Sequence, residues 1–284
     1  MTSAADVPPP AGGVFGTASD QEAVERAARA AAPITADVEA IGAMDPGVRA
    51  ALYRLLSSLA DNKYMLGRRY AEWCTGAPLL ESAVAAAAMA QDELGHARSF
   101  YPLLRGFPEA AEAHTVEGKG WQDRPTQALA MLDRPFRTWG ELIAVSAIAD
   151  TAFSVLLSVA TGPGYEPLRQ RARKILQEEE AHWVHARGWL RRLATDELHL
   201  ANLAEALGKA WESAATWFGR SDDPAMAVLV TKGILSAEPD ELRTTLRARV
   251  APTLESGGPA LVAVLDRPLP WERWSDAERR LAID

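Results

Sequence analysis

The sequence predicts an all-α protein, and three observations carry that. Alanine, leucine and charged residues dominate a chain that is 48% hydrophobic and 24% charged. Glycine and proline gather between segments, and no β-branched run alternates with period two as a strand requires. The 284 residues are enough to bury a sizeable core.

Residues 1–20 read as a flexible arm ahead of a single helical domain over 21–284. The first long helix should open at Asp45-Pro46, an N-cap with proline at the first helical position, and run to about Trp73, where Gly76-Ala77-Pro78 stops it. The second spans about Leu79 to Leu104. From Gly106 to Arg137 the chain is mostly irregular, marked by Gly118, Gly120, Pro125 and Pro135, with room for a short helix over Thr126 to Leu132. This stretch is long enough to cross over between two helical pairs. Thr138 and Glu141 have the spacing of a capping box and open the third helix, which ends at Thr161-Gly162-Pro163-Gly164. The fourth runs from about Pro167 to Ala194, which closes a core bundle of about 46–194. C-terminal helices over about 196–284 complete the chain: one from Asp196 to Phe218, then two shorter ones starting at Asp223-Pro224 and Glu238-Pro239. The tail around Trp271 and Trp274 is aromatic enough to dock on something. Two helical hairpins joined by one long connection make the layout of a ferritin-like four-helix bundle.

Thirty Lys and Arg against 38 Asp and Glu leave a net charge of -8, with neither sign in a long block, which argues against a nucleic-acid partner. A single cysteine, Cys74, excludes an internal disulfide and every site built on paired thiolates, and fits a cytoplasmic location. No basic patch followed by an apolar run marks a secretory signal. Leu142 to Ala160 is apolar enough to span a membrane, yet carries Asp150 at its centre. It reads as a buried bundle helix, with no membrane partner.

Two Glu-x-x-His elements stand out, Glu93 with His96 on the second helix and Glu179 with His182 on the fourth. Residues three apart share a helix face, so each pair can present a carboxylate and an imidazole to one ion. The stripe around Glu93 holds Ala86, Met89, Ala90, Ala97 and Phe100, and the stripe around Glu179 holds Ala172, Ile175, Leu176, Trp183 and Ala186. Both glutamates therefore face the core. By the same periodicity Asp92 turns away from the core, and Glu178 and Glu180 lie on solvated faces. Asp150 sits on the stripe of Ile143, Ser146, Ala147, Phe153, Ser154 and Leu157, where a lone carboxylate costs several kcal/mol unless a metal or cation compensates it. The alternatives are a structural hydrogen bond for Asp150 and buried polar contacts for the two pairs. On the first helix the stripe is Leu52, Leu56, Leu59, Leu66 and Tyr70, and its one charged member is Lys63, whereas Asp61 falls on the polar side. His185 and His199 read as surface residues, and His114 in the connection has no assigned role.

These residues resemble the ferritin-like subunits of the bacterial phenylacetyl-CoA ring epoxidase, a multicomponent di-iron oxygenase with a catalytic subunit and a related metal-free partner. The resemblance covers roughly Leu52 to Trp217. Leu59 to Asn62, Leu66-Gly67, Ala71 to Cys74 and Ala77-Pro78 look like the non-catalytic partner. Gln91 to His96 and Glu178 to His182 look like the catalytic subunit's ligand motifs. Asp150 precedes His182 by 32 residues, as the catalytic subunit's helix-3 carboxylate precedes its helix-4 histidine, and thirty residues before Glu93, where that subunit has its helix-1 glutamate, stands Lys63.

The resemblance implies iron, one or two ions, held by Glu93, His96, Asp150, Glu179 and His182, with Lys63 as the residue that alters the chemistry. Glu93, Asp150 and Glu179 with a protonated Lys63 balance one divalent ion. Asp150, Glu179 and His182 then make a complete lobe, while Glu93 and His96 lack a terminal anion. Lys63 ion-paired, deprotonated or carbamylated are all open. The leading expectation is an oxygen-activating iron oxidoreductase. It would act on an aromatic or acyl substrate, such as a CoA thioester, with O2 and a separate reductase, as a homo-oligomer or in complex with a related helical subunit. The alternative is a non-catalytic partner whose polar core is held by Lys63. Iron storage fits less well, given the extra helices and irregular crossover.

Overall fold

A computed structural model describes residues 35–110, 127–197 and 199–282 of the chain. The expected arm over 1–20, His114, and the glycines and proline of the mid-connection lie outside the described residues.

After a short α1 (Thr35–Gly42), the bundle consists of α2 (Pro46–Glu72), α3 (Leu80–Leu104), α4 (Trp139–Val159) and α5 (Glu166–Leu193). Asp45 caps α2 as expected, its Oδ1 accepting from the N–H groups of Gly47 at 2.9 Å and Val48 at 3.3 Å. At α4 the Thr138 hydroxyl accepts from Glu141 N at 3.2 Å, while the Glu141 carboxylate reaches back to Arg137 N at 2.7 Å, one residue beyond a capping box. The crossover returns through a 3₁₀ turn at Ala130–Leu132. Behind the bundle lie α6 (Leu200–Trp217), α7 (Pro224–Thr231), α8 (Pro239–Ser256) and α9 (Pro259–Val262). The helix expected from Asp196 begins four residues later, because the chain first turns with Asp196 paired to His199 at 2.9 Å. A two-stranded antiparallel ribbon, β1 (Trp274–Ser275) with β2 (Arg280–Leu281), is the one β element among the described residues. The aromatic tail does dock: Arg220 and Arg243 both lie over the Trp271 ring, at 5.3 and 5.5 Å.

The long apolar helix α4 is 89% buried in its most apolar window, as a core helix of the bundle should be. It is not a regular helix throughout. Ser146–Asp150 form a π-helical turn, an insertion that rotates the residues beyond it and is frequent beside functional sites.

One expectation fails on α2. Asp61 belongs to no solvated face: it is fully buried, together with Ser57, Ser58 and Asn62. The crossover and α6 cover this side of the helix and use its polarity. Asp61 Oδ2 accepts from Gln127 N at 2.8 Å, and its Oδ1 accepts from the Tyr101 hydroxyl at 2.9 Å. Asn62 Oδ1 accepts from Leu129 N at 2.8 Å, and Ser58 donates to Gln127 O at 2.9 Å while accepting from Trp217 Nε1 at 2.8 Å. The polar side of α2 is thus a socket for an irregular backbone whose own N–H groups need partners. On the opposite side α2 and α3 pack tightly at Gly67, where an added Cβ would stand 3.1 Å from Glu93 Cβ and 3.0 Å from Leu94 Cγ. That close approach sets the distance from Lys63 to Glu93.

Candidate metal centre

The structure brings Lys63, Glu93, His96, Asp150, Glu179 and His182 from the four bundle helices to one point, and none is more than 3% exposed. The Lys63 ammonium stands in the middle. Its Nζ donates to Glu93 Oε1 at 2.9 Å, Asp150 Oδ1 at 2.8 Å and Glu179 Oε1 at 2.5 Å, and lies 5.5 Å from the centroid of Phe153. Burial works against a charged lysine, but Asp150, Glu179 and Glu93 outweigh it and hold the ammonium well above the usual lysine range. The ion pair expected with Glu93 is therefore one of three.

His182 Nδ1 faces the same carboxylates, 3.1 Å from Asp150 Oδ2, 3.4 Å from Glu93 Oε1 and 3.6 Å from Glu179 Oε2. Although burial disfavours its charge, the bonds to Asp150 and Glu93 push the imidazole up to about 11. Burial raises Asp150 and Glu93, yet Lys63 and the histidine bonds prevail and hold both below the ordinary range. Glu179 goes the other way, raised by burial and then by Asp150. Without metal, Lys63 and His182 thus face Glu93 and Asp150 as ammonium and imidazolium, while burial and the neighbouring acids favour the protonated form of Glu179. Tyr70 and Ser154 fix the carboxylates from behind: the Tyr70 hydroxyl is 2.7 Å from Ser146 Oγ and 3.3 Å from Asp150 Oδ2, and Ser154 donates to Glu179 Oε2 at 3.3 Å. The π turn of α4 places both Ser146 and Asp150 in this arrangement.

Periodicity missed the outer support of the two imidazoles. Glu178, expected on a solvated face, is only partly exposed, and its Oε2 accepts from His96 Nε2 at 2.6 Å across the α3–α5 seam. Asp92, expected to face away, puts Oδ2 3.4 Å from His182 Nε2. The seam is antiparallel, so the residue just before each of Glu93 and Glu179 leans toward the histidine of the other helix. Each Nε2–H is thereby committed outward and each Nδ1 turned inward, the device that orients histidines on metals. A readable signal was present, because both elements carry an acid immediately before the glutamate, Asp92-Glu93 and Glu178-Glu179. Glu180 behaves as expected, exposed and 3.4 Å from Arg249. His185 does not lie on the surface: it is half-buried with its ring at right angles to Trp139 and 6.0 Å from it, and burial, with the His182 charge, lowers it to about 4.

The donor set fits a metal. Ligand atoms of Glu93, Asp150, Glu179 and His182 all lie within 4.8 Å of one another. On the other side, His96 Nδ1 is 3.4 Å from Glu179 Oε1 and 3.9 Å from Glu93 Oε2, and neither that nitrogen nor Glu93 Oε2 has a hydrogen-bond partner among the described residues. Buried, unpaired and converging donors are what an ion would satisfy.

A ferritin-like bundle with a carboxylate–histidine centre at its core is the class that fold and site define. Within it, the chain belongs to the phenylacetic acid catabolic protein family, whose model matches residues 19–265. It is similar to one of the subunits of 1,2-phenylacetyl-CoA epoxidase from Escherichia coli K12, 27% identical over 194 residues that cover 68% of this chain and 76% of that relative. The resemblance carried by the motifs is borne out, and the chain is a phenylacetyl-CoA epoxidase-like subunit.

Proposed function

We propose that this chain is an iron-binding, oxygen-activating subunit of an epoxidase-type complex, with a centre altered by Lys63. The orientation of the histidines carries this reading: each is braced outside by a carboxylate of the facing helix and offers Nδ1 to the interior. A core held together by the lysine ion pairs alone would have no use for such bracing. Asp150, Glu179 and His182 would hold one ferrous ion, and Glu93 with His96 an adjoining position. Such a donor set, with open positions, supplies oxygen activation for insertion of an oxygen atom into substrate.

The protein's own part is to hold charge and protons. Three carboxylates with a retained ammonium leave two negative charges, which match one ferrous ion. Binding requires His182 to lose from Nδ1 a proton that the surrounding acids hold up to about 11, so metal uptake is favoured as pH rises. Tyr70 and Ser154 keep Asp150 and Glu179 in place while this happens. The substrate class is an aromatic or acyl compound, including CoA thioesters. Electrons come from a separate reductase, and the working form is a complex with a related helical subunit.

A second reading, a non-catalytic partner closed by Lys63, is favoured by the contact of Nζ with all three carboxylates. Iron analysis of protein produced with iron and then reconstituted anaerobically separates the two. About one iron per chain supports the first reading, whereas a protein that stays iron-free under both conditions supports the second.

A further inference from the structure

Beside the centre lies an arrangement that metal binding does not explain. Trp73 at the end of α2, Trp139 on α4 and Trp189 on α5 meet ring to ring, 5.6 Å between the first two centroids and 5.3 Å between the last two, both edge to face. The line begins at the core: Trp73 comes three residues after Tyr70, and the Tyr70 hydroxyl is 3.3 Å from Asp150 Oδ2. It ends at the surface, where the guanidinium of exposed Arg192 lies 5.1 Å from the Trp189 ring and Trp189 Nε1 donates to Ser82 Oγ at 3.0 Å.

The indole N–H groups of Trp73 and Trp139 are buried, with no acceptor among the described residues. Nor does either ring nitrogen of His185, packed against Trp139, make a hydrogen bond among the described residues. A buried donor left unpaired costs about 1–3 kcal/mol, which phenylalanine at the same positions would avoid. Such orphans call for a reason, and a redox role is one. An indole that loses an electron becomes a radical cation with an acidic N–H. Where no acceptor touches that N–H the proton stays, so the electron moves alone and no reprotonation has to precede the next exchange.

We propose that Trp73, Trp139 and Trp189 form an exit route for single oxidising equivalents from the core to the surface. The source of the oxidant rests on the oxygenase reading: an oxygen-derived oxidant that meets no substrate takes one electron from Trp73. Trp139 then reduces Trp73, Trp189 reduces Trp139, and a thiol or other one-electron donor in solution reduces Trp189. The oxidant gains one electron, the external donor loses one, and the three indoles end unchanged with their protons in place.

Conductance along the route can be measured without metal. Cys74, the single cysteine and the residue next to Trp73, is partly exposed and takes a ruthenium polypyridyl photo-oxidant. Flash-quench oxidation of the label then creates one hole beside Trp73, and transient absorption tracks the indole radical while ferrocyanide in solution is varied. In the parent the radical should have the radical-cation spectrum and decay in proportion to ferrocyanide. Trp139→Phe should strand the hole on Trp73 and lengthen its lifetime about tenfold or more. Trp189→Phe, at the outermost of the three rings, should do the same with the hole confined to the inner pair. Lifetimes in both variants within about twofold of the parent's overturn the route, and so does a neutral-radical spectrum in the parent. An iron-free parent would remove the oxygenase reading while leaving the measured conductance untouched.

Discussion

The two histidine lobes of the centre are built from the same acid-Glu-x-x-His unit on antiparallel helices, yet they end in different states. His182 Nδ1 is engaged, 3.1 Å from Asp150 Oδ2, whereas His96 Nδ1 has two carboxylates within 4 Å and a hydrogen bond to neither. The outer braces differ in the opposite sense, 2.6 Å from Glu178 to His96 and 3.4 Å from Asp92 to His182. The inner difference traces to the neighbouring helices. Asp150 on α4 supplies a terminal anion to the His182 lobe, and α2 supplies a cation where the His96 lobe would take one. A symmetric motif thus becomes an asymmetric site through one residue outside the motif.

The strongest way to break that asymmetry is Lys63→Glu. It removes the ammonium and adds a carboxylate, so iron content should rise from about one toward two per chain in metal analysis. The same variant without metal buries uncompensated acids and should lose about 3–5 kcal/mol in urea unfolding. Two irons at full occupancy in the parent would show that Lys63 blocks nothing. Next come the outer braces: Glu178→Ala and Asp92→Ala should each weaken metal binding by about 10–100-fold in a competitive chelator titration. Glu178→Ala should cost more, since its bond is the shorter; equal losses would mean that the lobes are functionally alike. A smaller effect concerns His185. Its imidazole is held down at about 4 against an ordinary 6.5, so within that window the unfolded chain takes up a proton that the folded chain refuses. Stability should therefore fall as pH drops from about 6.5 to about 4 and level off below, and His185→Phe should flatten that part of the melting-temperature profile. Glu180→Ala, exposed on the same helix, should stay within about 0.5 kcal/mol of the parent in the same denaturation assay.

Much of this architecture was legible in the sequence. The helix starts at Asp45-Pro46 and Asp223-Pro224 depend on local capping, which two adjacent residues declare. The inward faces of Glu93, Asp150, Glu179 and Lys63 emerge from counting along single helices, and the resemblance alone marks Lys63 as standing in the place of an anion. What stayed hidden depends on contacts between elements. Asp61 is polar because the crossover backbone needs acceptors, and no helical period encodes what will cover a face. The angle around their own helices puts Asp92 and Glu178 outside, although a side chain on the flank of a packed pair can reach across the seam. The π turn also escaped, because Ser146 to Asp150 contains neither glycine nor proline to signal a change of winding.

That turn divides α4 into two segments that are out of phase with each other. Winding one additional residue into the helix offsets Thr151–Val159 from Trp139–Val145 by about a quarter of a rotation. The first segment can thus be tuned for its seat against α6 and the second for its seat against α5, without either choice dictating the other. Asp150 stands at the junction, so its aim is set by the length of the chain as well as by its identity. Deleting Ala149 would preserve every functional side chain in the protein and still remove the π turn, and with it the local winding that aims Asp150. For this helix, the number of residues is as much a part of the site as the residues themselves.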